Sequence, residues 1–125
     1  MKRILVTVVM LLAMIPAISF AQESAKPWPE LKAFHSVMSA TFHPVEEGNY
    51  APLKERAGEL FTAVKTWKAS AIPAGFKKKE TAAALVELEI ACGKLDKAVT
   101  AKASDVELKE MITNAHNVFH KIVGE

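Results

Sequence analysis

The sequence is poor in the features that define several protein classes. It contains a single cysteine, Cys92, so no disulfide can form within one chain even in an oxidising compartment. It shows no alternation of apolar and polar residues with the period of a β-strand, and no internal repeat. Apart from the N-terminus it has no long apolar run. Stability must therefore come from a hydrophobic core built by helices.

The N-terminal segment has the pattern of a secretory signal peptide. Lys2 and Arg3 precede an apolar run over residues 4–18, and Ser19 and Ala21 supply small residues at the −3 and −1 positions of a cleavage site. The run is shorter than the roughly 20 residues that span a bilayer, and no cysteine follows it to carry a lipid anchor. We predict a signal peptide over 1–21, a polar leader over 22–27 and a secreted, periplasmic domain over 28–125 that does not span the membrane.

The charge of the exported protein is balanced. Removing residues 1–21 takes away two basic residues and no acidic one, so the formal charge falls from +2 to zero. A protein that binds nucleic acid presents a basic face to the phosphates. The only basic run, at 77–79, has the composition of a solvated helix start. The balance therefore argues against a nucleic-acid partner.

Four amphipathic segments with short connections follow the leader. They are predicted as helices over about 29–43, 51–69, 77–99 and 104–123, with Pro44 and Gly48 ending the first and a Ser104/Glu107 capping box opening the last. This pattern predicts an all-α fold, an antiparallel up-down-up-down four-helix bundle. A dimeric or swapped bundle has the same pattern, so a homodimer stays open.

The predicted core lies on one stripe of each helix, at spacings of three and four residues. In the third helix Cys92 falls on this stripe and should point inward. The predicted core residues are Leu31, Phe34, Met38 and Phe42; Leu53, Ala57, Leu60, Phe61, Val64 and Trp67; Leu85, Leu88, Cys92, Leu95 and Val99; Leu108, Met111, Ile112, Ala115, Phe119 and Ile122.

The four histidines lie only in the first and last helices. His116 and His120 are one turn apart in the last helix, while His35 and His43 lie in the first. In an antiparallel pair of helices, His116 should be level with residue 36, beside His35, with His120 one turn away. His43 should lie roughly 12 Å along the axis from His35, towards the other end. On the helical wheel His35, His116 and His120 flank the core rather than fill it.

Histidines at positions i and i+4 can chelate one metal ion through neutral imidazole nitrogens. His35 would supply a third ligand, and Met38, one turn from His35, a fourth. Methionine would favour copper, whereas water or a carboxylate would favour zinc. Each of these candidate ligands also has a purely structural interpretation. Histidines between helices often serve as packing residues, and Met38 is also at core spacing. His43 can cap the helix end near Glu46.

The segment 112–120 carries a resemblance. It is similar to the haem-attachment segment Cys-x-x-Cys-His-x-x-Phe-Arg of cytochrome c-prime, with Ile112 and Ala115 at the cysteine positions and His116 at the axial histidine. It also resembles the C-terminal helix of soluble b-type four-helix cytochromes, in which His120 would be the axial histidine and Met38 the axial methionine. The resemblance implies a four-helix bundle with ligands on its first and last helices. Without the two cysteines, the usual covalent haem is excluded.

These observations lead to three expected functions. The first is a periplasmic carrier, buffer or sensor of copper or zinc, related to cytochrome c-prime, with His35, His43, His116, His120 and Met38 as candidate ligands. The second is an electron-transfer or gas-binding protein with noncovalent haem b, in which His116 or His120 gives one axial ligand and Met38 or His35 the other. The third is a helical interaction module without a cofactor. No arrangement of nucleophile and base, and no Glu-x-x-His spacing, predicts an enzyme.

Overall fold

The computed structural model describes residues 28–124 and consists of four packed helices. They are α1 (Pro29–Glu46), α2 (Ala51–Ala69), α3 (Lys78–Thr100) and α4 (Asp105–Val123), and residues 28–124 contain no strand. Each helix packs against the next, and α1 also contacts α4. The prediction of an all-helical four-helix bundle is confirmed. The predicted signal peptide (1–21) and leader (22–27), and residue 125, lie outside the described residues.

The helix boundaries agree with the sequence except at the end of α1. We expected Pro44 to stop this helix at His43, but α1 continues to Glu46 with Pro44 inside it. Pro44 cannot donate to the carbonyl four residues before it, so the last turn of α1 relies on other interactions. The carbonyl of Pro44 accepts from the N–H groups of Glu47 and Asn49, and Val45 is buried in the core. Gly48, with φ +86°, then turns the chain.

The start of α4 follows the predicted capping motif in part. Ser104 is the N-cap, and its hydroxyl accepts a hydrogen bond from the backbone N–H of Glu107 at 3.2 Å. The Glu107 carboxylate accepts from the Ser104 hydroxyl at 3.4 Å, where the capping box would have it bond the Ser104 backbone N–H. The cap fixes where α4 begins, and hence the positions of its two histidines twelve and sixteen residues later.

The core contains the predicted stripes with few changes. Cys92 and Met38 are buried, as expected, whereas Leu31, Phe61, Val99 and Met111 are only partly buried. The structure adds Val37, Thr41 and Val45 of α1 to the core. Thr41 is accommodated there because its hydroxyl donates to the backbone carbonyl of Val37 at 2.9 Å.

An aromatic cluster fills one end of the bundle. The indole rings of Trp28 and Trp67 meet edge to face at 5.5 Å, and the Trp28 Nε1–H donates to the Ser70 hydroxyl at 2.9 Å. Phe34 and Phe119 bring the rings of α1 and α4 onto Trp67. Because such rings are large, the cluster joins α1, α2 and α4 across a single layer.

The α1–α4 pair differs from the other neighbouring pairs of helices. Its backbones approach at fewer points than those of α1–α2, α2–α3 or α3–α4. Phenylalanine and imidazole rings occupy the space between the two helices. We refer to this region, formed by Phe34, His35, Phe42, His116, Phe119 and His120, as the α1–α4 seam. Over residues 28–124, no helix is both long and apolar enough to cross a membrane.

Candidate metal centre

His116 and His120 form the centre of the candidate site. They lie one turn apart on α4, both half-buried, with their Nε2 atoms 3.1 Å apart. The ring centroids are 4.3 Å apart and the planes meet at 73°. At this distance two neutral rings of suitable tautomers form one hydrogen bond, in which the Nε2–H of one ring donates to the lone pair of the other Nε2. The two Nε2 atoms thus occupy a single small volume beside α4.

Phenylalanine rings fix two of the imidazoles. Phe42 of α1 stacks on His116 with centroids 3.9 Å apart and an angle of 10° between planes. His35 of α1 stacks on Phe119 of α4 at 5.3 Å and 17°. A stacked ring restricts rotation of the imidazole about its side-chain torsions, which limits the directions in which its nitrogens can point. The α1–α4 seam therefore holds His116 in a defined orientation.

The electrostatics of the site favour neutral His116. Its pKa is lowered first by burial and then by the positive charges of His120 and His43, while Glu46 opposes the shift. His35 adds a smaller effect in the lowering direction. Neutral imidazole is the form that coordinates a metal. The surroundings thus favour the neutral form of His116.

The contacts between α1 and α4 differ from the prediction at His116. The sequence predicts His116 beside His35, but the structure stacks His116 on Phe42, while His35 stacks on Phe119. The predicted alignment put residue 36 level with residue 116, and hence His35 level with residue 117, so the contact with Phe119 agrees with it to within two residues. Side chains on antiparallel helices each point towards the N-terminus of their own helix, which brings Phe42 and His116 together although their levels differ. His43, next to Phe42, lies close enough for its charge to act on His116.

The other two histidines are exposed and play different parts. His43 pairs with Glu46 through its Nδ1 atom, 3.2 Å from the carboxylate oxygen, which is the helix-end role considered from the sequence. His35 has its ring against Phe119. Within residues 28–124, no three His, Cys, Asp or Glu side chains are arranged to hold one metal ion. The structure therefore brings together His116 and His120, but not the predicted set of three histidines.

The sulfur-containing candidates lie inside the bundle. Met38 is 1% exposed and belongs to the core. Cys92 is fully buried, and burial raises the pKa of its thiol to about 12, so the thiolate that would bind a metal is not formed. Cys92 has only a packing role here, and Met38 as a ligand stays a prediction.

The residues of the α1–α4 seam do not fit a haem. Haem needs a flat cavity beside the axial histidine, but the face of His116 is covered by Phe42 at 3.9 Å, and Phe34 and Phe119 are in contact between the helices. Two clefts of about 570 and 460 Å³ lie elsewhere, near the start of α4 and near its end, and neither is lined by a histidine. Haem would enter only if the aromatic rings moved.

The sequence identified the two central histidines and missed the importance of Phe42. A signal was present, because Phe42 lies on the same stripe as Phe34 and side chains on antiparallel helices point towards the N-terminus of their own helix. Comparison of the chain with protein-family models, with curated proteins and with solved structures finds no match.

Proposed function

We propose that this chain is a periplasmic metal-binding protein that takes up one copper(II) or zinc ion through His116 and His120. The observation that supports the proposal is the separation of 3.1 Å between their Nε2 atoms. Two nitrogens bound to one tetrahedral ion at 2.0–2.1 Å lie about 3.3 Å apart, so the pair needs little adjustment. Small rotations of the rings would direct both lone pairs to the ion.

Binding requires a change of tautomer. In the metal-free protein one Nε2 carries the hydrogen that it shares with the other, and for both nitrogens to coordinate, that hydrogen must move to Nδ1 of the same ring, with no net release of a proton. Binding depends on pH because an imidazolium must lose a proton before its ring can coordinate. The lowered pKa of His116 helps, because less of the free protein is then protonated on this ring.

The incomplete set of protein ligands favours a carrier or buffer over a structural site. Structural zinc sites are closed by four protein ligands, whereas open sites keep positions for water or another molecule. Two histidines at a half-exposed edge leave such positions, through which a donor or acceptor could exchange the ion. His35 lies on the facing helix, with its ring on Phe119, and could add a third ligand after a movement of its side chain.

The proposal also includes secretion to the periplasm and a relationship to cytochrome c-prime. The charged and apolar pattern of residues 1–21 supports secretion to the periplasm. The short connections and the α1–α4 contact support the antiparallel up-down-up-down topology of cytochrome c-prime. In such a relative, Ile112 and Ala115 stand where the two haem-attaching cysteines would be, so haem is not bound covalently. His116 binds a metal ion instead.

Calorimetric titration with Cu²⁺ and with Zn²⁺ tests the proposal. We expect one ion per chain, with binding lost in His116→Gln and in His120→Gln, because a single imidazole cannot chelate. His43→Gln is the matched control, since His43 is exposed and paired with Glu46, and it should bind as the wild type does. Circular dichroism verifies that each variant is folded.

Two further variants define the ligand set. Met38→Leu preserves the volume of a core side chain and should leave affinity unchanged if Met38 only packs. His35→Gln should weaken binding only if His35 moves to complete the site. The proposal is wrong if the double variant His116→Gln/His120→Gln is folded and binds either ion as the wild type does.

A further inference from the structure

The outer face of α3 carries a row of exposed apolar positions. Val86 and Ile90 are one turn apart and are 45% and 54% exposed, and Gly93 follows at the next turn. Single exposed apolar residues are common on protein surfaces. Here, however, they line up at spacings of four and three on a helix whose opposite side is already buried. We call Val86, Ile90 and Gly93 the outer stripe of α3.

Ion pairs border the outer stripe on both sides. Towards α4, Lys121 lies 3.3 Å from the carboxylate of Glu87. Towards α2, Lys68 lies 3.2 Å from the carboxylate of Glu89. An apolar centre with a polar rim is the usual composition of a protein–protein interface.

The stripe contains both a protrusion and a depression. Val86 and Ile90 project from α3, whereas Gly93 has no side chain and the Phe61 ring lies against it, with Cε1 3.1 Å from where a Cβ would stand. A groove of about 350 Å³ follows, lined by Phe61, Ile90 and Gly93 together with Glu89, Lys94 and Lys97. A surface that has a protrusion and a matching groove at nearly equal distances from one point can bind a copy of itself.

We propose that a second copy of this chain binds here, with the two α3 helices antiparallel and the two-fold axis level with Ile90. In this arrangement, each residue faces the one equally far beyond Ile90 in the other copy. Ile90 packs on Ile90 of the second copy. Val86, four residues before Ile90, enters the groove at Gly93, three residues after it.

The charges on α3 select this partner and this orientation. At 100° per residue, Glu87 and Lys94 lie on the same side of the outer stripe, about 20° apart around the helix, three residues before and four after Ile90. The two-fold axis therefore brings Glu87 close to Lys94 of the second copy, and the pair occurs twice. A parallel two-fold arrangement would put Lys94 of the second copy on the opposite side of the outer stripe and seven residues away along the axis, so this pair could not form. Complementary charges of this kind determine the register of an interface.

The interface is small, so the association should be reversible. A standard stable interface buries about 1,600 Å² in total, and interfaces below about 1,200 Å² are usually transient. One face of one helix corresponds to the smaller class. The zero formal charge of the chain without residues 1–21 means that the copies do not repel each other at long range.

Analytical ultracentrifugation of the purified protein over a range of concentrations tests the proposal. We expect a monomer–dimer equilibrium with dimer present by about 1 mM. Ile90→Lys should weaken association at least about tenfold, because it places two charges at the centre of the interface. Val106→Lys is the control: Val106 is 73% exposed at the start of α4, away from the stripe, and its replacement should leave dimerisation unchanged.

A charge exchange tests the orientation. Glu87→Lys and Lys94→Glu should each weaken the dimer about fivefold or more, and the double variant should recover to within about threefold of the wild type. Loss of the exposed Glu87–Lys121 pair contributes little, and recovery in the double variant cannot come from it.

Three results would overturn the proposal: a wild type that stays monomeric at about 1 mM, an Ile90→Lys variant that associates as strongly as the wild type, or a double variant no better than the singles. Metal binding through His116 and His120 should be the same in all these variants, because the outer stripe lies on another helix. The outcome is therefore independent of the function proposed above.

Discussion

The α1–α4 seam and the interior face of α3 contain different kinds of side chain. The interior face of α3 presents Leu85, Leu88, Cys92 and Leu95, each 1% exposed or less, and α3 packs closely against both of its neighbours. The α1–α4 seam contains aromatic and imidazole rings between backbones that approach less closely. Aliphatic packing leaves no room for a polar group, whereas the wider seam admits titratable rings at its edge. The interior face of α3 thus packs aliphatic side chains and a thiol, whereas the α1–α4 seam combines buried aromatic rings with two half-buried imidazoles.

The largest effect is expected from truncation in the interior of α3. Leu88→Ala should lower the free energy of unfolding by about 3 kcal/mol, because it leaves a cavity in a closely packed region. Urea denaturation measures the change, and metal titration of the folded variant should be normal. Val86→Ala, on the exposed face of the same helix, should change stability by less than about 0.5 kcal/mol. Equal effects of the two substitutions would contradict the comparison.

Phe42→Leu should affect both stability and binding. The variant keeps an apolar group at an 8% exposed position, so the loss of stability should be about 1–2 kcal/mol. It also removes the ring stacked on His116, so the imidazole gains freedom and the affinity for copper or zinc should fall. Leu88→Ala should not reduce affinity. If both variants reduce it equally, the α1–α4 seam has no special part in orienting His116.

A smaller effect is expected from pH. The pKa of His116 is lowered in the folded protein, so near its ordinary value of 6.5 the unfolded chain binds more protons than the folded one. Stability from this group is complete above pH 6.5 and is lost as the pH falls from 6.5 towards the folded pKa. Thermal unfolding with a chelator present, between about pH 8 and pH 5, should show this decline. The decline should be shallower in His116→Gln, and an unchanged slope would contradict the assignment.

The smallest change is expected at Cys92. Its thiol is fully buried with a pKa raised to about 12, so a thiol reagent at neutral pH should not modify the folded protein. Labelling should appear only in denaturant, together with unfolding. Rapid labelling under native conditions would mean that the interior of α3 opens more readily than its packing indicates.

Most of the fold could be predicted from the sequence because the helices are strongly amphipathic. The spacing of leucines in α3 and the Ser104 cap of α4 are local features, and both predictions were confirmed. The end of α1 could not be predicted in this way. Continuation past Pro44 depends on burial of Val45 and on carbonyl bonds to Glu47 and Asn49, which are tertiary and turn interactions.

The candidate site was predictable only where it depends on one helix. The i, i+4 spacing places His116 beside His120 whatever the rest of the chain does. Which α1 residue meets them depends on how two helices distant in sequence pack and on where their side chains point, and levels taken along the helix axes alone put His35 rather than Phe42 opposite His116. The stacking itself depends on side-chain torsions that no sequence pattern specifies.

The position of the two tryptophans gives the protein a built-in optical probe. Trp28 and Trp67 are buried at the same end, and Trp67 contacts Phe119, whose ring also contacts His35 and His120. One aromatic ring thus separates an emitting indole from the histidine pair. Cupric ion, with its partly filled d shell, should quench the tryptophan emission at this range, while zinc, with a filled shell, should leave it unchanged. Fluorescence could then distinguish which of the two metals occupies the protein without any added label.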